Sequence, residues 1–318
     1  MIFDNPAELK DRIESLSSRR VGREPPRIFE DTSSYMSIFG GCVLRLDGND
    51  YFVLGDTREG RFGIDDQPKV WVKYALDLTT GDHKIIKLVF YEEFDMEYGF
   101  LKLRFRRSPE KESEVLEAMR GHNRFMQGFT VRDPAGNHVR IIDFIRGKTL
   151  YGVIRHLDMD HEQYVRERLP GLMREVIVCI EALAELHRRG LHHGDVRNDH
   201  LISEAGTGRL TWIDFDYHVN YSDYDVWSMG NVITFLVGNG LHTFRGVQKE
   251  PQRYPHCKGG LDEDDALLLS KHRVANLGKL FPYLPAELNE ILLRFSCGAS
   301  HFYEDLDHQI ADLRSIFG

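Results

Sequence analysis

The most constraining feature of the sequence is a long amphipathic helix followed by three polar motifs in a fixed order. Apolar residues at helical spacing predict the helix over residues 168–188, and Gly190 ends it. The run Leu191-His-His-Gly-Asp-Val-Arg-Asn-Asp-His-Leu-Ile202 comes next. An apolar strand then ends in Trp212-Ile-Asp-Phe-Asp216, and Asp225-Val-Trp-Ser-Met-Gly230 begins a further helix. A lone His-Gly-Asp is usually a turn, so the order of the three motifs is what carries the information.

This order resembles the protein-kinase-like superfamily, which includes Ser/Thr protein kinases and aminoglycoside phosphotransferases, over about residues 40–318. The resemblance implies an α+β, bilobal fold, with a small antiparallel-sheet N-lobe that contains one helix and a larger, mainly helical C-lobe. We expect an N-terminal extension with a short helix over residues 1–36, the N-lobe over residues 37–143 and the C-lobe over residues 144–318. Short β-rich runs before residue 91 favour the same division.

The resemblance implies transfer of the γ-phosphate of ATP to a hydroxyl group, a reaction that needs cations, metal ligands and one base. By resemblance, Asp195 orients the acceptor hydroxyl and takes its proton. The alternative for Asp195 is a loop carboxylate that caps nearby backbone N–H groups. Arg197 stands where protein kinases place a lysine next to the transferred phosphate, and its fixed charge suits that role. His193 and Asp225 are expected to hold the loop in place.

Two carboxylates are expected to bind Mg²⁺ or Mn²⁺. Asp214 is the expected ligand by resemblance, because a hard cation prefers carboxylate oxygen. Asp216 replaces the glycine of an Asp-Phe-Gly motif. Within an extended strand Asp214 and Asp216 would point the same way, so Asp216 is expected to add a second carboxylate.

His200 stands where most kinase-like enzymes have a metal-binding asparagine. Imidazole is a softer ligand than an amide oxygen and suits Mn²⁺ or Zn²⁺ better than Mg²⁺. Three interpretations stay open: an active enzyme with altered metal use, a shifted register in which Asn198 or Asp199 reaches the metal, and a weakened pseudokinase. The same substitution is found in lipopolysaccharide-core sugar kinases, a similarity that favours an active enzyme.

In the expected N-lobe, Lys87 resembles the β-strand lysine that holds the α- and β-phosphates of ATP. Lys84 lies on the opposite face of the same strand. The ion-pair partner of Lys87 should be Glu112, which shares a helix face with Val115 and Leu116. The alternative for Glu112 is an exposed position on a charged helix.

Two backbone features complete the expected nucleotide site. Gly60 and Gly63 fit the second half of a phosphate-covering glycine-rich loop, and a plain hairpin is the alternative. The segment from Asp143 to Ile145 resembles the hinge of kinases, in which backbone groups bind adenine.

Charge and cysteine usage narrow the partners. Lys plus Arg total 41 against 50 for Asp plus Glu, a net charge of -9 that argues against nucleic-acid binding. The four cysteines form no CxxC pair, which is typical of a reducing cytoplasm. No apolar run approaches the length of about 20 residues that spans a membrane. We therefore predict a cytoplasmic phosphotransferase that uses ATP, Mg²⁺ or Mn²⁺ and a hydroxyl-bearing acceptor, with a nucleotide-binding pseudokinase or scaffold as the alternative.

The acceptor is left open between a protein and a saccharide or other small molecule. Only 11 positions separate Asp214 from Asp225, which leaves little chain for a peptide-docking segment. The stretch over residues 239–285 has no recognised role, and an acceptor platform there stays open. Its acidic cluster at 261–265 is interpreted as a helix start, with a metal site as the alternative.

Overall fold

The computed structural model describes residues 1–17, 22, 24–61, 64–98, 101–257 and 259–318, with the backbone alone for residues 59–61 and 64–66. The strands are β1 (Ile28–Phe29), β2 (Val43–Leu46), β3 (Asn49–Arg61), β4 (Ile64–Asp77), β5 (His83–Lys87), β6 (Glu92–Tyr98), β7 (Leu101–Arg107), β8 (Gly128–Arg132), β9 (His138–Asp143), β10 (Gly147–Thr149), β11 (Leu201–Glu204), β12 (Leu210–Trp212), β13 (Tyr217–Val219), β14 (Ala266–Leu267) and β15 (Ser270–Val274). The helices are α1 (Pro6–Leu16), α2 (Pro109–Ala118), α3 (Leu150–Arg155), α4 (His161–Glu167), α5 (Leu169–Arg188), α6 (Tyr224–Val237), α7 (Phe244–Lys249), α8 (Ala286–Leu293) and α9 (Leu306–Phe317).

The chain folds into two compact units. Unit 1 consists of Met1–Glu92, Arg107–His122 and Met126–Ile145, and unit 2 of Glu93–Arg106, Asn123–Phe125 and Arg146–Gly318.

Unit 1 is built on a seven-stranded sheet in the order β1-β2-β3-β4-β5-β9-β8. β1 pairs parallel with β2, and the other neighbours are antiparallel. Inward-facing apolar residues of these strands form one core, with Leu44, Leu46, Val53, Ala75, Ile86, Val139 and Ile141 among its members. Helix α2 packs on β8 and β9, and its start is set by Ser108, whose hydroxyl accepts a hydrogen bond from the Lys111 N–H.

Strands β3 and β4 form a longer hairpin than the sequence pattern predicts. Residues 64–69 look like an insertion in the sequence, whereas Thr57 pairs with Lys69 and Glu59 pairs with Gln67. The register shifts along the pair, which marks β-bulges. The extra residues therefore lengthen the hairpin.

The core of unit 2 is the long helix α5, found where helical spacing predicts it. It buries Met173, Val176, Ile180 and Leu183, while Leu172 is only half-buried because Met173 takes the inward position. Gly190 has φ +76° and ends the helix with a conformation that side chains disfavour.

A hairpin of β6 and β7, which the sequence pattern left unassigned, also belongs to unit 2. It forms a three-stranded sheet with β13 in the order β13-β7-β6. Phe94 and Phe105 stack at 5.1 Å on its inner face and meet Tyr217 of β13 edge to face. The charged residues that alternate with them point outward, so the hairpin has one apolar and one charged face.

No helix in the described part of the chain is long and apolar enough to cross a membrane.

Candidate active site

In unit 1 the predicted pair of Lys87 and Glu112 is brought together. Lys87 Nζ lies 2.5 Å from Glu112 Oε1, and the two side chains are 4% and 0% exposed. The other oxygen, Oε2, lies 3.2 Å from Nε of Arg140, which is also buried. One buried carboxylate therefore holds two buried cations, which fixes the direction of the Lys87 side chain.

Arg140 is the residue that sequence reasoning missed here. It lies on β9 directly opposite Lys87 on β5, and it donates hydrogen bonds to the carbonyls of His138 and Leu88. The sequence does contain a sign of this role, since an arginine stands within the apolar run from Val139 to Ile142. A buried charge requires a partner, so such an arginine predicts a nearby carboxylate.

Lys84 points away from Lys87, as strand alternation predicts, and its Nζ lies 2.6 Å from Asp143 Oδ1. The Asp143 N–H donates to the Gln127 carbonyl at 2.9 Å, and the Phe144 N–H to the His83 carbonyl at 3.3 Å. Among the described residues no hydrogen bond involves the half-buried Ile145 N–H. An adenine hinge at Asp143 to Ile145 stays a prediction.

Of the two predicted loop glycines, Gly60 lies near the end of β3. Gly63 lies outside the described residues. The phosphate-covering role of Gly60 and Gly63 stays a prediction.

In unit 2 the β11–β12 pair brings the motifs of the candidate site together. Leu201 pairs with Trp212 in an antiparallel register, so the residues just before β11 lie beside those just after β12. The Ile213 N–H donates to the His200 carbonyl at 3.0 Å. His200 Nε2 consequently lies 3.6 Å from Asp214 Oδ2.

Asp225 holds the loop that carries Asp195. Its carboxylate is 1% exposed and accepts hydrogen bonds from the N–H groups of His193 at 2.6 Å and Gly194 at 2.8 Å. Gly194 has φ +80°, which suits a residue without a side chain. His187 Nε2 lies 2.9 Å from the same carboxylate. Ligand atoms of His187, His192 and Asp225 lie within 4.8 Å of one another, but the two N–H groups already bound to Asp225 indicate a hydrogen-bond support rather than a metal centre.

His193 acts as a buried scaffold for this loop. Its Nδ1 accepts a hydrogen bond from the Asp195 N–H at 3.2 Å, and its ring packs 4.4 Å from Phe215 and 5.0 Å from Trp212.

Asp195, Arg197 and His200 form one polar cluster. His200 Nδ1 donates to the Asp195 carbonyl at 2.8 Å, and His200 Nε2 accepts from Arg197 Nη2 at 2.7 Å. These partners define a neutral imidazole with its proton on Nδ1. Arg197 also pairs with Asp195 at 3.5 Å and with Asp199 at 3.2 Å. The Asp195 carboxylate is thus placed beside a fixed cation.

The strand argument for Asp214 and Asp216 is wrong. β12 ends at Trp212, and Asp214 has φ +63°, a left-handed conformation outside any extended strand. The two side chains therefore do not follow strand alternation. Asp216 is 2% exposed, and its role as a second metal-binding carboxylate stays a prediction.

The carboxylate of Asp214 and the imidazole of His200 are chemically suited to bind a divalent cation. Neighbouring oxygens around an octahedral cation with bonds of about 2.1 Å lie about 3 Å apart, close to the 3.6 Å between Asp214 Oδ2 and His200 Nε2. Because Arg197 Nη2 occupies the imidazole lone pair, a cation bound there must displace Arg197 from His200. Asn198 Oδ1 is buried without a hydrogen-bond partner among the described residues, so the shifted-register interpretation also stays open.

The acidic cluster at 261–265 is not the start of a long helix. Glu263–Asp265 forms a single 3-10 turn capped by Asp262. The buried carboxylate of Asp265 pairs with Lys279 at 2.6 Å, which lowers the pKa of Asp265 against the opposing effect of its burial.

Solved structures with a similar fold include those of the PknI kinase domain of Mycobacterium tuberculosis. Two double mutants of that domain align at 14% identity with TM-scores of 0.52 and 0.51. The first alignment covers 88% of this chain and 99% of the other, and the second covers 86% and 97%. No family model and no curated protein matches the sequence. The likeness confirms the predicted protein-kinase-like α+β fold.

Proposed function

We propose that this chain is an ATP-dependent phosphotransferase that transfers the γ-phosphate of ATP to an acceptor hydroxyl. The observation that supports it most is the cluster of Asp195, His200 and Asp214, in which one imidazole lies 3.6 Å from each carboxylate. Asp195 lies in a loop whose backbone is fixed by Asp225. A base and a cation site in such proximity are what phosphoryl transfer requires.

In the proposed reaction Asp195 accepts the proton of the acceptor hydroxyl as its oxygen bonds to the γ-phosphorus. The bond from that phosphorus to the bridging oxygen breaks, and ADP leaves with the electron pair. Arg197 stabilises the negative charge of the transferred group. Lys87, held by Glu112, binds the α- and β-phosphates.

Asp214, with Asp216 and His200, would hold Mg²⁺ or Mn²⁺. A divalent cation at this position neutralises phosphate charge. Arg197 would have to leave His200 for the imidazole to take up this role, and the Arg197 guanidinium would then be available to the phosphate.

A second candidate function is nucleotide binding without transfer. The contact of Arg197 with His200 favours it, because that contact occupies the atom that would bind the cation.

The test is incubation with labelled ATP, Mg²⁺ or Mn²⁺ and a panel of proteins, sugars and amines. We expect transfer by the wild type and a loss of at least about a hundredfold in Asp195→Asn. Asp158→Asn, which changes an exposed carboxylate of the same unit, is the matched control and should retain activity.

Equal background turnover of the wild type and Asp195→Asn refutes the phosphotransferase. A thermal shift with ATP but without transfer supports the second candidate.

A further inference from the structure

The guanidinium of Arg273 has few partners in the described part of the chain. Arg273 Nη1 lies 3.4 Å from Asn231 Oδ1, a long hydrogen bond. Its Nε is buried and has no hydrogen-bond partner among the described residues. Burial lowers the pKa of Arg273 from its usual value, because desolvation disfavours the charge. Buried charged groups are ordinarily paired, so this one is suited to an anion from outside the chain.

The position of Arg273 is fixed by the backbone of unit 2. It lies on β15, which pairs with β14, and it forms an isolated bridge with Thr243. The next N–H, that of Val274, donates to the His242 carbonyl at 2.9 Å. The fold of unit 2 therefore holds the Arg273 backbone in a position where its side chain has no ion-pair partner among the described residues.

Arg273 is connected with the loop that carries Asp195 through helix α6. Its partner Asn231 lies on α6, and both α6 and α3 pack against the turn at Asn198–His200. The negative charge of Asp199 in that turn acts on the Arg273 guanidinium. Arg273 is thus linked to this turn through Asn231 of α6 and through the charge of Asp199.

A tyrosine connects Arg273 with the expected base electrostatically. The charges of Asp195 and Arg273 both act on the Tyr98 hydroxyl. Burial is the largest cause of the raised pKa of Tyr98, and the Asp195 charge adds to it. Tyr98 therefore lies within electrostatic range of both groups, while its hydroxyl donates a hydrogen bond to Met96 Sδ at 3.6 Å.

The neighbouring carboxylate does not neutralise Arg273. Asp199 Oδ2 forms its ion pair with Arg197 Nη2 at 3.2 Å, and no ion pair of Arg273 is found among the described residues. The charge of Arg273 is consequently available to an anion from outside the chain.

We propose that Arg273 binds an anionic group of the phosphate acceptor, so that the acceptor is a small hydroxyl-bearing acid with a carboxylate or a phosphate. The planar guanidinium can bind either group through two parallel hydrogen bonds. A small molecule is favoured over an acidic peptide because the short segment after Asp214 is partly held in the β13-β7-β6 sheet. The inference rests on the proposed function and names its acceptor class.

The experiment uses matched acceptors that differ in one anionic group. The pairs are glucuronate with glucose, gluconate with sorbitol, glycerate with glycerol, and glucose 6-phosphate with glucose, and an acidic serine peptide is paired with a neutral one. The carboxylate and phosphate arms identify which anion is used. We expect kcat/KM of the wild type to be at least about tenfold higher for an acid than for its neutral partner.

Arg273→Gln should reduce this preference by about tenfold to a hundredfold, because a hydrogen-bonded ion pair is lost. Arg273→Lys should give an intermediate preference through a raised KM for the acid, since it keeps the charge without the planar fork. Lys271→Gln is the matched control, because it removes one positive charge from the same strand. Burial raises the pKa of Cys297, and the charge of Lys271 opposes that rise. The variant should keep the wild-type preference for acids. A ratio of two acceptors is insensitive to a general loss of folded protein.

Four outcomes overturn this inference. Three concern the acceptor: transfer to neutral members only, transfer to the acidic peptide instead of the small acids, or no transfer to any small acid. The fourth is an unchanged preference in both Arg273 variants. With any of these outcomes the proposed phosphotransferase function is still supported, provided that the wild type turns over ATP and Asp195→Asn abolishes that turnover. If the wild type and Asp195→Asn have equal turnover with every acceptor, the proposed function fails and this inference fails with it. Should Arg273→Gln not fold, Arg273→Lys decides by the same ratio.

Discussion

Replacing Glu112 by glutamine should destabilise unit 1 more than any single change of its partners. The carboxylate is fully buried and bonds to Lys87 at 2.5 Å and Arg140 at 3.2 Å, and both cations are nearly buried. Removing one partner of a buried ion pair costs about 3–5 kcal/mol, because the remaining charge stays desolvated. A glutamine oxygen can accept from one cation, but its amide group repels the other. We expect the free energy of unfolding of unit 1 to fall by about 3–5 kcal/mol.

The assay is urea-dependent hydrogen exchange of the amides in β5 and β9, which reports on unit 1 alone. Glu114→Gln is the matched control, since Glu114 is exposed on the same helix, and it should change stability by less than about 0.5 kcal/mol. Lys87→Met leaves Glu112 paired with Arg140 and should cost less than Glu112→Gln.

The reasoning is refuted if Glu112→Gln stays within about 1 kcal/mol of the wild type, below the range for a broken buried pair. It is also refuted if Lys87→Met destabilises unit 1 as much as Glu112→Gln, because the carboxylate that both cations share would then contribute no more to stability than one of them.

Three further predictions concern unit 2. Burial lowers the pKa of His242 to about 4, below the value of about 6.5 in the unfolded chain. The neutral form therefore contributes about 3 kcal/mol of stability above pH 6.5, which is lost as the pH falls toward 4. Urea unfolding at pH 7 and pH 5 should show this loss, and His242→Asn should reduce the difference in unfolding free energy between the two pH values. A Cβ on Gly230 would lie 2.5 Å from the Phe295 ring, so Gly230→Ala should cost about 1–3 kcal/mol, and adding Phe295→Leu should cost less than the sum of the single changes in thermal unfolding. His200→Asn should shift the ratio of Mn²⁺- to Mg²⁺-supported transfer toward Mg²⁺, and an unchanged ratio would argue against a metal contact of His200.

The parts of the molecule that follow local rules could be predicted from the sequence. Helix α5 and its glycine end follow from apolar spacing, and α2 carries Glu112 on its buried face as expected. The strand with Lys87 was predicted from its apolar neighbours. In each case the residues that decide the structure lie within a few turns or one strand of one another.

The missed parts depend on contacts between distant segments or on backbone conformation. Arg140 is tolerated in a buried strand because Glu112 arrives from another element. The left-handed backbone at Asp214 has no signature in a run of Ile, Asp and Phe. Arg273 was assigned no role, since its surroundings come from α3, α6 and the turn at Asn198–His200.

The β6–β7 hairpin has a consequence for synthesis of the chain. The Arg104 N–H donates to Asn220 Oδ1, a contact between residues 116 positions apart, and the aromatic inner face of the hairpin is completed only when residues as distant as Leu269 are present. At about 5–20 residues per second, a ribosome needs roughly 8–33 seconds to advance from Phe105 to Leu269. During that interval the nascent hairpin exposes Phe94 and Phe105 to solvent, and a chaperone that covers aromatic residues would protect it.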